Sequence, residues 1–293
     1  MKFAAIDIGS NAIRLLISDI IQKEKGNYPK KNTLIRVPLR LGDDAFLEKK
    51  LSEKKIQDLI KTLSAFKNLI EVYKVQKYKA YATSALRECE NGVEIINRIQ
   101  NDLRVEVEII DGYREAKLIY SSLTKGFLDE KKNYLCIDVG GGSTELSLFV
   151  GNQLEGSKSF NIGTIRILDN KDREEEWRAM QEWIRFITQG ITGIEAIGTG
   201  GNINKLYRIA QEKEGFPLSK VRLINIYKYL SSFSLKDRIN ILELKQDRAD
   251  VILPAAEIFI SICKWGRINQ IHVPKSGLVD GIVQNLIDET FSN

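Results

Sequence analysis

The chain has 293 residues, of which 43% are hydrophobic and 28% charged, and its formal net charge is +5. This composition is typical of a globular protein long enough for two domain cores, and the charge is far below that of a dedicated nucleic-acid-binding protein. The only histidine, His272, excludes histidine-rich metal sites and leaves little basis for a Ser-His-Asp triad. Because it lies in a short strand-like run before a proline, we interpret it as a structural residue.

Cysteine use and hydropathy predict a cytoplasmic protein that has no membrane partner. Cys89, Cys136 and Cys263 are far apart and odd in number, which argues against a disulfide framework and against zinc. No apolar run approaches the roughly 20 residues of a transmembrane helix, and Asp7 interrupts the N-terminal apolar run too early for a signal peptide.

The first half of the chain reads as three strands followed by alternating helices and strands. The predicted strands are Lys2–Ile8, Ile13–Ile20, Thr33–Arg40, Tyr78–Thr83 and Val105–Ile110. The predicted helices run from Leu51 to about Tyr73 after an N-cap at Ser52, from Asn91 to Gln100, and from Gly112 to Leu123. Turns are expected at Gly9–Asn11 and Lys25–Lys31. The order βββαβαβα is that of a ribonuclease-H-like module.

The second half repeats the pattern. Predicted strands are Tyr134–Val139, Leu146–Val150, Gln153–Phe160, Glu195–Ile197 and Gln270–Val273, with a hairpin turn at Gly151-Asn152. Predicted helices are Ile162–Leu168, one around Trp177–Ile187, one after Gly201, Tyr227–Ser232, Asp237–Leu244, Arg248–Trp265 and Gly277–Thr290. We therefore predict an α/β protein of two duplicated domains with an interdomain cleft, 1–126 and 127–293, leaving open whether the last helix packs on the first domain.

Three glycine turns follow strands and are candidate phosphate sites: Gly9–Asn11, Gly140–Ser143 and Gly198–Gly201. Successive glycines leave backbone N–H groups bare and convergent, which suits an anion, although tight packing can require the same residues. Asp138 and Glu145 flank the middle turn. Two carboxylates beside an anion-binding turn would repel a phosphate, so we expect a divalent cation between them. Asp7 occupies the position in the first copy that Asp138 occupies in the second.

Two residues have both a functional and a plain structural interpretation. Arg87 follows a strand and could chelate a phosphate, or it could pair with Glu88 or Glu90 on the surface. Glu115 lies in the first turn of a predicted helix, where an acid at the third helical position would simply complement the helix N-terminus. Its functional interpretation is a base or metal ligand.

Several of these segments together resemble the exopolyphosphatase/guanosine-pentaphosphate phosphatase family of the actin/hexokinase/Hsp70-like superfamily. The matching segments are AAIDIGSNAIRLLI, ATSALRECENG, IIDGYREAKLIY, CIDVGGGSTELSL, NIGTIRI, AIGTGGNINKL, DRADVILPAAEIF and GLVDGIV. They occur in the family's order and cover nearly the whole chain, so we identify it as a member.

The resemblance implies an actin-like ATPase fold and hydrolysis of a terminal phosphoryl group from a polyanion. We expect inorganic polyphosphate as the substrate, with guanosine pentaphosphate as the alternative. It makes Glu115 the catalytic base, and it makes Asp138 and Glu145 the carboxylates that bind Mg²⁺ and orient water. Gly141, Gly142 and Ser143 match the family's phosphate turn, and Ser10, Asn11 and Arg87 match its first-domain phosphate contacts. Gly200 and Gly201 are added as phosphate contacts and Asp7 as a metal ligand. A homodimer is left open.

Two positions depart from the family pattern. Arg114 replaces an acid before Glu115, and Val279 stands where the late Leu-Arg-x-Gly motif has arginine. These departures keep open a non-catalytic binder of alarmones or polyphosphate. An ATP-dependent sugar kinase or ATPase of the same superfamily is a separate rival.

Overall fold

The computed structural model describes residues 1–23, 26–124, 129, 131–151 and 153–291. The chain divides into two compact units, the first formed by Met1–Ser122 with Ser276–Asn293 and the second by Leu123–Lys275. Each unit has one β-sheet with helices packed on it.

The first unit opens with a three-stranded meander and then alternates helices with parallel strands. Its elements are β1 (Lys2–Ile8), β2 (Ile13–Lys23), β3 (Gly26–Val37), α1 (Leu41–Leu47), α2 (Glu53–Val72), β4 (Lys77–Ala82), α3 (Ser84–Glu88), α4 (Gly92–Leu103), β5 (Val107–Ile109) and α5 (Gly112–Thr124). The sheet order is β3-β2-β1-β4-β5, and β4 and β5 run parallel to β1.

The second unit repeats this plan and adds a short strand and several helices before its last strand. Its elements are β6 (Asn133–Val139), β7 (Thr144–Val150), β8 (Gln153–Phe160), α6 (Thr164–Leu168), α7 (Glu174–Ile187), β9 (Ile194–Thr199), α8 (Gly200–Ala210), β10 (Leu218–Ser219), α9 (Lys220–Ser231), α10 (Leu235–Asn240), α11 (Gln246–Ala249), α12 (Ile252–Trp265) and β11 (Gln270–His272). The sheet order is β10-β11-β9-β6-β7-β8, with β9 parallel to β6 and β11 parallel to β9. Read from its other edge, β8-β7-β6-β9-β11 has the same order as the first sheet, so the predicted duplicated α/β fold is confirmed.

The last helix, α13 (Leu278–Phe291), belongs to the first unit, where it packs on β1 to β4. The sequence prediction assigned 127–293 to the second domain and left this packing open. A methyl group added at Gly281 would lie 2.0 Å from the carbonyl oxygen of Leu118, so α13 and α5 pack in backbone contact at this point. The predicted boundary between residues 126 and 127 lies outside the described residues.

Strand β3 begins earlier than predicted, and the expected turn at Lys25–Lys31 is wrong from Gly26 onward. Gly26 to Lys31 pair with β2, for example Lys30 with Asp19 and Pro29 with Ile20. The polar composition is explained by position, because β3 is the edge strand of its sheet and an edge tolerates lysine and proline. Lys25 itself, and Asn152 of the predicted Gly151-Asn152 turn, lie outside the described residues.

The long helix expected at Arg248–Trp265 is two helices, α11 and α12. Pro254 is the third residue of α12, a position where its missing N–H breaks no intrahelical bond. The helix therefore restarts just before the proline, at Ile252. Three elements were not predicted, namely α1, α3 and β10, and α10 ends at Asn240 rather than at Leu244.

Each unit has its own buried apolar side chains. In the second unit they form one cluster that joins one face of the sheet to the helices, including Leu135, Ile137, Leu146, Phe160 and Phe259. The burial of these apolar side chains stabilises the second unit by the hydrophobic effect. Across the part of the chain that the structure describes, no helix has the length and apolarity needed to cross a membrane.

Candidate active site

The predicted site residues fall into two sets. One set, in the first unit, contains Asp7, Ser10, Asn11, Arg87 and Glu115. The other, in the second unit, contains Asp138, Gly141, Gly142, Ser143, Glu145, Gly200 and Gly201. In each set most residues lie at or just after the ends of the parallel strands, while Glu115 is in the helix that follows β5 and Glu145 is near the start of the antiparallel strand β7.

In the first unit, parallel pairing brings the predicted residues to one edge of the sheet. Ile8 of β1 is in register with Ala82 of β4, and Ala82 with Ile109 of β5. The residues after these three strands therefore emerge side by side. The hydroxyls of Ser10 and Ser84 confirm this closeness with a buried hydrogen bond of 2.8 Å.

Asp7 is almost fully buried and pairs with Arg14, whose Nη1 lies 2.5 Å from Asp7 Oδ2. Burial raises the pKa of the Asp7 carboxyl above its ordinary value, and the Arg14 guanidinium opposes that effect without cancelling it. The carboxylate that was predicted as a metal ligand thus already has a cationic partner in its own unit.

Asn11 and Arg87 are held by backbone contacts. The carbonyl of Asn11 accepts from the Arg40 N–H at 3.0 Å, while its side-chain Oδ1 is buried without a hydrogen-bond partner among the described residues. Arg87 donates from Nη1 to the carbonyl of Ile110 at 2.9 Å. The alternative, in which Arg87 pairs with Glu88 or Glu90 on the surface, stays a prediction.

Glu115 is buried in the first turn of α5, with 8% of its surface exposed. It is the fourth residue of the helix, so the expected acid at the third position is wrong. The residue that complements the helix start is Asp111, whose Oδ1 accepts from the Arg114 N–H at 2.7 Å. A buried carboxylate that is not needed as a cap is a stronger candidate for chemistry than the sequence indicated.

Arg114, the departure from the family pattern, is turned to the sheet. Its guanidinium forms an ion pair with Glu108 of β5, donates to the Tyr81 hydroxyl at 3.1 Å and lies over the Tyr81 ring. The added positive charge is therefore balanced by a neighbouring carboxylate.

In the second unit, Asp138 and Glu145 are direct cross-strand partners in the antiparallel pair of β6 and β7. Partners of this kind lie on the same face of a sheet about 4.5–5.5 Å apart at Cβ. Glu145 is buried and held in place by two hydroxyls, Ser143 at 2.6 Å and Ser159 at 3.0 Å from Oε1. Ser143 was predicted to contact phosphate, but its hydroxyl is bonded to Glu145, which leaves its N–H for an anion.

The glycine turn presents a row of three amide groups on one side. The carbonyls of Gly140 and Gly141 accept from the first N–H groups of α6, at 3.1 and 2.9 Å, and that of Gly142 accepts from Arg166 Nε at 2.6 Å. Because a trans peptide points its C=O and N–H in opposite directions, the N–H groups of Gly141, Gly142 and Ser143 point away from α6. Among the described residues none of these three N–H groups has an acceptor.

A second set of amides lies at the start of α8, immediately after β9. Asp138 is in register with Thr199, and a methyl group added at Gly200 would lie 2.5 Å from Asp138 Oδ1. The first N–H groups of a helix have no intrahelical acceptor and attract anions. Gly200 and Gly201 are therefore placed next to the Asp138 carboxylate.

Arg248 is a site residue that the sequence reasoning did not single out, although its segment was among those that carry the family resemblance. A methyl group at Gly201 would lie 2.3 Å from Arg248 Nη2, and Arg248 Nη1 donates to Asn202 Oδ1 at 2.8 Å. The nearby Lys205 shares this positive environment. Burial, together with Arg208 and Arg248, lowers the pKa of Lys205.

The donors of the second unit partly fit a magnesium ion. Mg²⁺ is commonly bound by one or two carboxylates, substrate phosphates and water, and Asp138 and Glu145 supply two carboxylates on one face. In the described ranges no group of three or more His, Cys, Asp or Glu side chains is arranged to hold a metal.

His272 lies outside both sets. Its Nε2 lies 2.7 Å from Glu195 Oε2, and Lys132 also contacts Glu195 at 3.0 Å. Burial favours a higher pKa for Glu195, but the hydrogen bonds from Lys132 and His272 hold that pKa below its ordinary value. These contacts agree with the structural role predicted for this histidine.

Comparison with known proteins gives a consistent result. The model of the Ppx/GppA phosphatase family matches residues 20–290. A bifunctional 3-dehydroquinate synthase/phosphatase of Fusobacterium nucleatum is 28% identical over 81% of this chain and 38% of its own length. A guanosine-5'-triphosphate,3'-diphosphate pyrophosphatase of Vibrio parahaemolyticus is 25% identical over 99% of this chain and 60% of its own length. The chain thus spans less than two thirds of either relative.

A solved structure extends the similarity to three dimensions. An exopolyphosphatase from Cytophaga hutchinsonii superposes with a TM-score of 0.86 at 25% identity and covers 99% of this chain and 98% of its own. The family resemblance inferred from the sequence motifs is confirmed by these matches. The chain belongs to the Ppx/GppA phosphatase family.

Proposed function

We propose that this protein hydrolyses the terminal phosphoryl group of inorganic polyphosphate with the help of magnesium. The observation that carries the proposal is the row of three N–H groups at Gly141, Gly142 and Ser143, beside the Asp138–Glu145 pair. Unbonded buried amides are unfavourable unless a ligand accepts from them, and a phosphate offers several acceptor oxygens.

Each group of residues has its own role in the proposed phosphoryl transfer. The three amides and the amides of Gly200 and Gly201 bind the oxygens of the terminal phosphoryl group, and the Arg248 guanidinium adds positive charge. Asp138 and Glu145 would hold the magnesium ion, which supplies charge neutralisation and orientation of water when bound. Ser143 and Ser159 fix the direction of the Glu145 carboxylate.

Glu115 is the proposed general base. A water oxygen forms a bond to the terminal phosphorus, and the bond from that phosphorus to the bridging oxygen breaks. The water proton passes to the Glu115 carboxylate, and the leaving oxygen stays on the shortened chain. Ser10, Asn11 and Arg87 are proposed as contacts for further phosphates. None of these steps needs a histidine.

The first test compares Glu115→Gln with wild type in phosphate release from long-chain polyphosphate. Loss of a general base predicts a decrease of about 10²–10⁴-fold. Glu94→Gln is the matched control, because Glu94 is also in the first turn of a helix, α4, but is exposed. Equal release by wild type and Glu115→Gln would refute the role of Glu115.

A guanosine pentaphosphate phosphatase is the second candidate, supported by the similarity to the Vibrio protein along 99% of this chain. Analysis of products from polyphosphate and guanosine pentaphosphate, offered side by side, separates the two. Saturable binding of both without turnover under any divalent metal would favour the non-catalytic alternative. Turnover of ATP that polyphosphate fails to inhibit would favour a kinase or ATPase.

A further inference from the structure

The second unit contains a large pocket at the edge of its sheet opposite to the glycine turns. It has a volume of about 940 Å³ and is formed by the end of α7, the loop from Thr188 to Gly193, the first residue of β9 and the end of α12. Ile194 of β9 lines the pocket, and Thr199 at the other end of the same strand precedes Gly200. At about 3.3 Å per residue, the strand separates the two places by roughly 17 Å.

The pocket is lined by three cations and no acidic residue. The cations are Arg185, Lys264 and Arg267, and all three are exposed. Over the described part of the chain none of them takes part in an ion pair, whereas Lys132, Arg178 and Lys275 of the same unit do. Arg185 and Lys264 lie in the last turns of their helices, where the dipole favours a cation, but Arg267 lies beyond the end of α12. The dipole therefore does not account for the full set.

The same pocket also has apolar lining residues beside its three cations. Trp265, Ile191 and Ile194 line the pocket with apolar surface. When the Gln181 amide is oriented with its oxygen towards Trp265, that oxygen accepts from Trp265 Nε1 at 2.8 Å and from Arg185 Nη2 at 3.1 Å. The Trp265 ring is also packed edge-on against Trp177 at 6.1 Å between centroids, so its orientation is fixed.

We propose that this pocket is a second binding site, specific for a nucleoside polyphosphate. The three cations would bind the phosphates by charge-assisted hydrogen bonds, and Trp265 with the two isoleucines would bury the base. A bare polyphosphate chain has no apolar part to bury, which is why the pocket favours a nucleoside polyphosphate over an inorganic chain. The proposal does not depend on the proposed hydrolytic function, because it concerns other residues at the other end of the strand.

The test uses GTP as the probe and the indole N–H signals of the 293-residue chain in NMR, with EDTA present to prevent turnover. The chain has three tryptophans, so the Trp265 signal is assigned from a Trp265→Phe spectrum. We expect that signal to shift saturably with GTP. Tripolyphosphate, which lacks the base, and guanosine, which lacks the phosphates, should each bind at least about tenfold more weakly.

The variant Lys264→Glu/Arg267→Glu should weaken GTP binding by more than about tenfold, since two charge-assisted contacts are lost. Lys228→Glu is the matched control, because Lys228 is an exposed lysine in the last turn of α9 and does not line the pocket. A thermal melt of each variant checks the fold, and the single variants replace the double one if it melts early. Arg248→Ala should leave the Trp265 shift unchanged.

Four results would overturn the proposal. They are an unshifted Trp265 signal at millimolar GTP, an equal shift in the Lys264/Arg267 variants, loss of the shift in Arg248→Ala, and tripolyphosphate binding as tightly as GTP. The last result would identify the site as one for any polyanion, and the third would show that the shift reports the glycine turns.

Discussion

Asp7 and Asp138 occupy the same position of the repeated unit, but the cross-strand partner of Asp7 is an arginine and that of Asp138 is a glutamate. Across the antiparallel strands of the first unit the register runs Asp7, Arg14, Arg36, and in the second it runs Asp138, Glu145, Ser159. The backbone arrangement is the same, but the first row contains an ion pair and the second contains two carboxylates. The first row thus supplies its own cation to Asp7, whereas the second row is where we propose that magnesium binds.

The largest expected effect on the rate of phosphate release comes from removing the negative charge of Glu145 in the second row. Glu145→Gln should lower phosphate release from polyphosphate by about 10²–10⁴-fold, because it removes a proposed magnesium ligand that also orients water. Glu195→Gln, a carboxylate at the other end of the same sheet, should leave the rate unchanged. If both substitutions have the same effect on steady-state phosphate release, the second row has no special role.

Removing the cation from the first row should affect folding. Arg14→Gln leaves the buried Asp7 carboxylate without its partner and should lower the free energy of unfolding by about 3 kcal/mol at neutral pH. The loss should shrink in acid, where Asp7 is protonated. Urea denaturation measures it, and a change below about 1 kcal/mol would mean that the pair behaves like an exposed one.

A smaller effect is expected from the residue that ends the second row. Ser159→Ala removes one of the two hydroxyls that hold Glu145 and should reduce the rate about tenfold while raising the magnesium concentration needed for half-maximal rate. Ser147→Ala is the control, because its hydroxyl is bonded to Ser157 on the same strands. A fall in rate with an unchanged magnesium requirement would argue against a role through Glu145.

The pH dependence of stability tests the charge state of the first row. The folded protein raises the pKa of Asp7, so it binds more protons than the unfolded chain between the unfolded and folded pKa values. Stability should therefore fall as pH rises through that window, from about pH 4 upward. The melting temperature of Asp7→Asn should not show this fall with rising pH, because the variant has no titrating carboxyl at position 7. Identical slopes for the variant and the wild type would show that burial of Asp7 does not control its protonation.

The repeated pattern of strands and glycine turns was predictable because it is local. Period-two apolar runs and the Asp-x-Gly spacing predicted both sheets and placed Asp138 and Glu145 on either side of one turn. Edge position was not visible, so the lysines and Pro29 of β3 indicated a loop. The apolar pattern from Arg248 to Trp265 is continuous, so it does not show that the helix is divided and that α12 begins at Ile252, two residues before Pro254.

Contacts between distant segments set the limit of prediction for the site. No local pattern predicts that Arg248 lies against Gly201, because 47 positions separate them and the contact depends on how α11 meets α8. The same holds for Ser10 with Ser84 and for the bond from Arg87 to Ile110. The roles of Ser143 and Asp111 became clear only from their hydrogen bonds, since either residue has several suitable partners nearby in sequence.

The most direct measurement is phosphate release from long-chain polyphosphate as a function of magnesium concentration, in wild type and in Glu145→Gln. The account predicts that the wild-type rate rises saturably with magnesium and is lost in EDTA, while Glu145→Gln stays slow at every concentration. Wild-type release that is equally fast in EDTA, or a Glu145→Gln curve that overlays the wild-type curve, would contradict it.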